Sequence, residues 1–463
     1  MGFINAIHKL STEMNEKSYI SPFLQDLNTN KTKFLEVFIE VDRLELPMKP
    51  LKLSGIALIE LDDEPCEQQR EKYLYKPLSG NVSWQYSPVF PTGSELCKKG
   101  IAPLEKIISK IRKKVFEDLE KQKLFTENAA EKIENLLFDA KETIDSTIDK
   151  NFKTTIIFGI EHKGKRYLPG ELDSFRGYFN NKIQNDFKRL NNSTNCSLCL
   201  KEVQKVTNLS KIFKFATFDK LGFLPGLSSK SQLKVFPICE QCYRNLMYAR
   251  RRIQTSFTNF YVIPSSDPFV EMWIIPEVLF LNSSSKKITK AVVIKNFEAY
   301  LHNNACMREK RMFDALQKQD ATLNFHFLFI EKQQAKEGLM QVIEDVSPSH
   351  LKKIQSLWEK NSKKFTNSGS VLLDTCFSFL RLVYINDSES KRSVNTESKF
   401  RTQKAVELIA KLLRGERINT NGLKKEFVSR FPKIMHSGNY KTVINNQFRF
   451  IEFLEDYNRE GTI

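Results

Sequence analysis

The sequence predicts an α+β protein: a mixed N-terminal part, an inserted four-cysteine zinc module, and a C-terminal helical bundle. Three observations predict it. Short runs of β-formers alternate with amphipathic helical stretches through the first two thirds of the chain. Two CxxC pairs, Cys196-Ser-Leu-Cys199 and Cys239-Glu-Gln-Cys242, interrupt that pattern about forty residues apart. From about residue 370 every periodic segment has helical spacing. The expected division is 1–190 for an N-terminal α+β domain, 191–255 for the zinc module, 256–365 for the continuation of the α+β domain and 366–463 for the bundle.

Residues 1–33 are polar and read as a short helix followed by a loop. Phe34-Leu-Glu-Val-Phe-Ile-Glu-Val41 and Gly55-Ile-Ala-Leu-Ile-Glu-Leu61 read as strands, separated by Pro47 and Pro50. Tyr73 to Gly93 is rich in Pro and Gly, and its aromatics Tyr75, Trp84, Tyr86 and Phe90 are expected to pin a loop to the core. Over 102–148 the apolar residues Ile107, Ile108, Ile111, Val115, Phe116 and Leu119 recur at helical spacing, which predicts a helical insertion. Thr154 to Ile160 is a further strand. Phe175 to Leu190 reads as a helix, with Asn191-Asn-Ser-Thr-Asn195 as a linker into the first CxxC pair.

A two-residue spacer lets both thiolates of a CxxC pair reach one ion, and two such pairs supply the four ligands of a closed tetrahedral site. Cys196, Cys199, Cys239 and Cys242 are therefore the candidate ligands of a structural Zn2+. The gap exceeds the usual spacing of about 15–20 residues, so a small subdomain is expected between the pairs. The remaining cysteines, Cys66, Cys97, Cys306 and Cys376, are scattered and read as small hydrophobes.

Residues 258–282 are strand-like, with Pro264, Pro268 and Pro276 as breaks, and Ser283 to Lys287 reads as a linker. Leu323 to Ile330 alternates and is aromatic, and marks the clearest strand, within which His326 is expected to be packed rather than a ligand. Gln333 to Val346 fits a strand or a helix. Val371 to Tyr384, Lys404 to Arg414, Asn421 to Phe431 and Tyr440 to Tyr457 read as the helices of the bundle.

The chain of 463 residues carries a formal net charge of +17, which points to a polyanionic partner rather than to a fold. Residues 196–252 hold eleven Lys/Arg against three Asp/Glu, a net of +8, and residues 391–450 hold fourteen against four, a net of +10. Lys205, Lys211, Lys214, Lys220, Lys230, Lys234, Arg250, Arg251 and Arg252 are the candidate nucleic-acid contacts around the zinc module. The phenylalanines among them are expected to form its core. No signal peptide and no apolar run of membrane-spanning length stands out, which predicts a cytoplasmic protein without a membrane partner. A P-loop, a GxGxxG fingerprint, a GxSxG elbow and a His-Asp metal-nuclease box are all missing, so the expectation is a non-enzymatic protein.

The run Cys196-Ser-Leu-Cys199, Phe218-Asp-Lys-Leu-Gly-Phe-Leu-Pro225 and Lys234-Val-Phe-Pro-Ile-Cys-Glu-Gln-Cys242 resembles the zinc segment of the large subunit of type I-B CRISPR interference (Cascade) complexes. Asn324-Phe-His-Phe-Leu-Phe-Ile-Glu-Lys332 followed by Ile343-Glu-Asp-Val-Ser-Pro348 agrees with the same family. The resemblance implies a non-catalytic subunit that reads the PAM (protospacer-adjacent motif) in duplex DNA, helps to open the duplex and stabilises the R-loop in antiviral defence. Its implied partners are crRNA, target double-stranded DNA, the backbone, crRNA 5′-end-binding and small subunits, and a helicase-nuclease recruited transiently. The chain is short for that family, and its bundle looks trimmed. Two other readings stand beside it: a divergent type III-like large subunit, which lacks here its Gly-Gly-Asp-Asp element and His-Asp box, and a stand-alone zinc-ribbon DNA-binding protein.

Overall fold

The α+β class holds in the computed structural model. It describes residues 2–12, 20–24, 32–59, 67–76, 84–93, 95–97, 103–216, 220, 222, 224–228, 231–261, 269–278, 323–333, 336–362, 391–435 and 440–461. The chain divides into two compact units: 16–194 with 202–207, and 1–15 with 195–201 and 208–463. The expected linker at 283–287 and the apolar stretch 371–384 lie outside the described residues.

The first unit is built on a sheet in the order β2-β1-β4-β3, with a short β5 on β4. β1 (Thr32–Val41) runs antiparallel to β2 (Pro50–Ile59) and parallel to β4 (Lys153–His162), with Val37 opposite Phe158. β3 (Val89–Gly93) and β5 (Lys165–Tyr167) both run antiparallel to β4. A parallel pair needs a long crossover, and here it contains the helices expected over 102–148. These are α3 (Leu104–Ile111), a π-helical turn at Arg112–Phe116, α4 (Glu117–Lys121), α5 (Ala129–Asp139) and α6 (Lys141–Thr147). All six residues of the predicted stripe, Ile107 to Leu119, are buried. Phe116 meets Phe158 edge to face at 4.9 Å, which joins the helices to the central strand. The half-buried Arg112 ties the π-helical turn to α5 by an ion pair with Glu134 at 2.7 Å.

The segment from Tyr73 is pinned as expected: Tyr86 and Phe90 are buried, and Trp84 packs edge-on against Tyr86 at 4.9 Å. A short helix, α2 (Glu67–Tyr73), precedes it. β2 begins at Pro50 rather than after it, β3 ends the stretch read as loop, and two boundaries before the first CxxC pair also differ from the sequence reading. The helix over 175–190 starts and stops earlier, as α7 (Asp173–Gln184). The expected linker at 191–195 is instead part of a strand, β6 (Lys188–Asn195), paired with β7 (Glu202–Val206). The polar run suggests a loop because its pairing partner lies across the first CxxC pair, outside any local window.

In the second unit the sheet order is β11-β10-β9-β8, comprising β8 (Thr258–Tyr261), β9 (Phe269–Val278), β10 (Leu323–Gln333) and β11 (Lys336–Val346), all antiparallel. Within the ambiguous segment 333–346, Lys336–Val346 is thus a strand. Phe325, Phe327, Leu328, Phe329 and Ile330 on β10 and Met272, Trp273, Ile274 and Ile275 on β9 are all buried. Burial of successive residues shows that both faces are covered. The N-terminal helix α1 (Gly2–Thr12) belongs to this unit, although its sequence position suggests the N-terminal domain. Its stripe Ile4, Ile7 and Leu10 is buried, and it packs against β9 and the helix Glu240–Ser256. Glu344 accepts from the Phe3 N–H at 2.7 Å, and Lys9 donates to Glu277 at 2.7 Å.

After a short α8 (Gln232–Val235) and α9 (Glu240–Ser256) come the bundle helices α10 (Pro348–Ser362), α11 (Lys391–Arg414), α12 (Thr420–Met435) and α13 (Tyr440–Asp456). Trp358 meets Phe453 edge to face at 5.0 Å, and the buried Tyr457 donates to the Leu412 carbonyl at 3.0 Å. Helix α10 packs on α13, so the bundle begins earlier in the chain than its composition suggests.

Gly170 tests the packing of the first unit. A Cβ there would lie 1.6 Å from the Glu71 carbonyl oxygen, which is backbone and cannot rotate away. Gly170→Ala is expected to destabilise the protein by about 2 kcal/mol or more, the scale of overpacking a filled site. Gly177→Ala, inside α7 with no atom within 4 Å of the added carbon, should instead stabilise by about 0.5–1 kcal/mol. Urea melts of the two variants check this.

Candidate metal centre

The four CxxC cysteines converge on one point. Their sulfur atoms all lie within 4.8 Å of one another. Cys199 and Cys239 Sγ are 3.7 Å apart, far beyond the roughly 2.05 Å of a disulfide. It matches the roughly 3.8 Å edge of a tetrahedron with Zn–S bonds of about 2.3 Å. Cys196, Cys239 and Cys242 are buried and Cys199 is half-buried.

Local backbone geometry builds each half. In the first knuckle Leu200 takes a left-handed conformation (φ 60°), which turns the chain back on itself. The Leu200 N–H then donates to the Cys196 carbonyl at 2.9 Å and the Cys196 N–H to the Lys201 carbonyl at 2.9 Å. In the second knuckle Cys239 is the N-cap of α9, its sulfur accepting from the Cys242 N–H at 3.5 Å. The Cys239 N–H donates to the Cys196 sulfur at 3.4 Å, and the Ser197 N–H to the Pro237 carbonyl at 2.8 Å, so backbone bonds join the two halves.

This environment admits one thiolate and resists a second unless a cation is present. Hydrogen bonds from the Cys239 and Cys242 thiols hold Cys196 well below the ordinary thiol range. The hydrogen bond to Cys196 pushes Cys239 up to about 11, and Cys242 is raised further by its bonds to both sulfurs. Several negative sulfurs in one buried pocket repel one another, and a dication at their centre removes that repulsion. The donor set is all sulfur and closed on four sides, which fits a metal ion such as zinc held for structure.

A second group, Glu277, His326 and Asp345, also brings three donor atoms together within 4.8 Å. His326 is buried, and both ring nitrogens are engaged, by Glu277 at 3.0 Å and by the Asp345 N–H at 3.4 Å. It is a packed histidine, as its place in an apolar strand predicts.

The basic candidates separate by burial. Lys205, Lys211, Lys214, Lys220 and Lys234 are exposed, Arg251 and Arg252 are half-buried, and Lys230 lies outside the described residues. Arg250 leaves the candidate surface. Its side chain is 14% exposed and forms an ion pair with Glu337, which is 7% exposed. The guanidinium also lies over the rings of Phe213 (5.8 Å) and Trp273 (6.0 Å). The Lys214 N–H donates to the other Glu337 oxygen at 3.3 Å. Arg250 shares the helical stripe of Tyr243, Leu246 and Ile253, a sign in the sequence that the basic-residue list passed over; Glu337, 87 residues on, supplies the partner that the sequence does not show. Phe213 is buried and stacks on the half-buried Phe215 at 5.3 Å, so these two form core as expected, while Phe218 and Phe223 lie outside the described residues.

Residues 193–346 match a family model described as the central domain of CRISPR-associated protein TM1802. The stretch that holds all four cysteines is similar to a CRISPR-associated domain. The match begins within β6 and ends with β11, so it spans both knuckles, α9 and the second sheet. No curated protein matches the chain. Among the described residues, no helix is long and apolar enough to cross a membrane.

Two outcomes follow from this geometry. Cys239→Ser removes a sulfur ligand while its hydroxyl can still cap α9, and should abolish stoichiometric zinc and lower the melting temperature; Cys97→Ser, outside the cluster, should do neither. Metal analysis and calorimetry read both. Arg250→Ala leaves Glu337 buried without its guanidinium, and should cost about 3–5 kcal/mol. The double variant Arg250→Met/Glu337→Leu should recover most of it in urea titrations.

Proposed function

We propose that this chain is the non-catalytic large subunit of a type I-B-like, crRNA-guided DNA surveillance complex. In this reading it recognises the PAM in duplex DNA, helps to open the duplex, stabilises the R-loop and supports recruitment of a separate helicase-nuclease. The observation that carries the reading is the coincidence of three features in one stretch: the four-cysteine knuckle, the exposed lysines around it, and the match to a CRISPR-associated central domain.

The physical division of labour is consistent. Base pairing with a guide supplies long-range sequence specificity, so the protein needs only a short-motif reader and a positive surface. A structural zinc suits that role, because it holds a loop in shape from within and leaves the loop's outer side chains to meet a partner. Lys211, Lys214 and Lys220 lie between the knuckles and offer charge to phosphates.

Co-purification from the native operon tests the reading directly. The chain should bring down crRNA, the backbone subunits, the crRNA 5′-end-binding subunit and small subunits; a chain that purifies without crRNA would sink it. Within the complex, Lys211→Ala/Lys214→Ala/Lys220→Ala should weaken DNA binding uniformly across sequences. The slope of log K against log salt should flatten by about 0.9 for each phosphate that the variant no longer neutralises.

A further inference from the structure

The β6–β7 hairpin has little core of its own. On β6, Lys188, Arg189, Asn191, Asn192, Ser193 and Asn195 are exposed; on β7, Glu202, Gln204 and Lys205 are exposed. Isolated two-stranded hairpins are marginal in water, and this one gains almost no apolar burial along most of its length.

Its side chains are sorted by face. The Arg189 guanidinium donates to Gln204 Oε1 at 3.2 Å, and the Ser193 hydroxyl donates to Glu202. These two cross-strand bonds place Arg189, Ser193, Glu202 and Gln204 on one side, and the period of two adds Asn191 between them. The half-buried Leu190, Thr194 and Val203 fall on the other side. The exposed side chains of the first face are therefore all hydrogen-bonding ones, and its single aliphatic, Val206 at the end of β7, is buried. That selection is unlike a sheet face made for packing.

It is the set used to read base edges. Arg pairs with guanine, Asn and Gln with adenine, Glu accepts from the cytosine amine, and Ser serves either way. A two-stranded ribbon is also an element that the major groove, about 12 Å wide, admits. The strands carry Lys188, Arg189 and Lys205 against Glu202, a net of +2, which suits a polyanion.

We infer that the face bearing Arg189, Asn191 and Gln204 reads base edges in the major groove of duplex DNA, at the short motif beside the guide-matched sequence. This rests on the function proposed above and names the residues that would carry out its reading step. The Arg189–Gln204 bond then holds the two side chains in register until bases replace it.

The test uses the complex assembled with its crRNA, and target duplexes whose guide-matched sequence is constant and whose flanking positions are randomised. The parent complex should prefer a defined flank. Arg189→Ala and Gln204→Ala should each reduce that preference by about 5- to 150-fold at one position, the discrimination of a single bidentate contact. Arg189→Lys keeps the charge but loses the fork and should also lose the preference. Asn192→Ala, on the opposite face, should keep it. All four variants should retain zinc and the parental melting temperature. Parental flank preference in Arg189→Ala, Arg189→Lys and Gln204→Ala overturns the hairpin assignment and leaves the proposed function standing. A parent complex that binds crRNA and target yet shows no flank preference overturns the PAM-reading function, and the hairpin assignment with it.

Discussion

Four sulfurs from two distant knuckles must share one point, and much of the second unit follows from that constraint. Cys196 and Cys242 are separated by more than forty residues, so bringing their charges together costs loop-closure entropy and electrostatic repulsion. A dication offsets the repulsion only if the geometry is tetrahedral, and the spacing of the sulfurs meets that requirement. The left-handed turn at Leu200 and the N-cap at Cys239 are the local devices that make it possible.

Helix α9 carries the constraint from the cysteine cluster into the sheet. Its first turn holds the second knuckle, and its buried face of Tyr243, Leu246, Ala249 and Ile253 lies in the core. Near its other end Arg250 reaches Glu337 on β11 while resting on Phe213 and Trp273. Residues from between the knuckles, from α9, from β9 and from β11 thus meet around one guanidinium. A buried ion pair of this kind adds little net stability over an apolar pair, but it penalises every arrangement that leaves one charge alone.

Positive charge serves two purposes in one short region. Arg250 is internal, while Lys211, Lys214, Lys220 and Lys234 remain at the surface. A long-stemmed lysine keeps its ammonium in water readily, whereas a planar guanidinium stacks on aromatic rings and forks onto a carboxylate with less desolvation cost. The polar hairpin β6–β7 adds a third use, in which Arg189 is held in place by a neutral amide across the strand.

Much was legible from the sequence where the signal is local. CxxC spacing identified the four sulfurs that converge, because two residues suffice to turn a chain around one point. The stripe Ile107 to Leu119 identified a buried helical face because 3.6-residue periodicity is a property of one segment, and β10 announced itself by aromatic alternation. Tertiary structure alone decided the strand at 191–195, the unit to which α1 belongs, the strand at 336–346 and the carboxylate that pairs with Arg250. Each of these depends on a partner outside the segment itself: β7 across the knuckle, β9 and α9 against α1, β10 beside β11, and Glu337 beyond three strands. Hydrogen-bond ladders and buried ion pairs are made between segments, so their effect on any one segment is absent from its own composition.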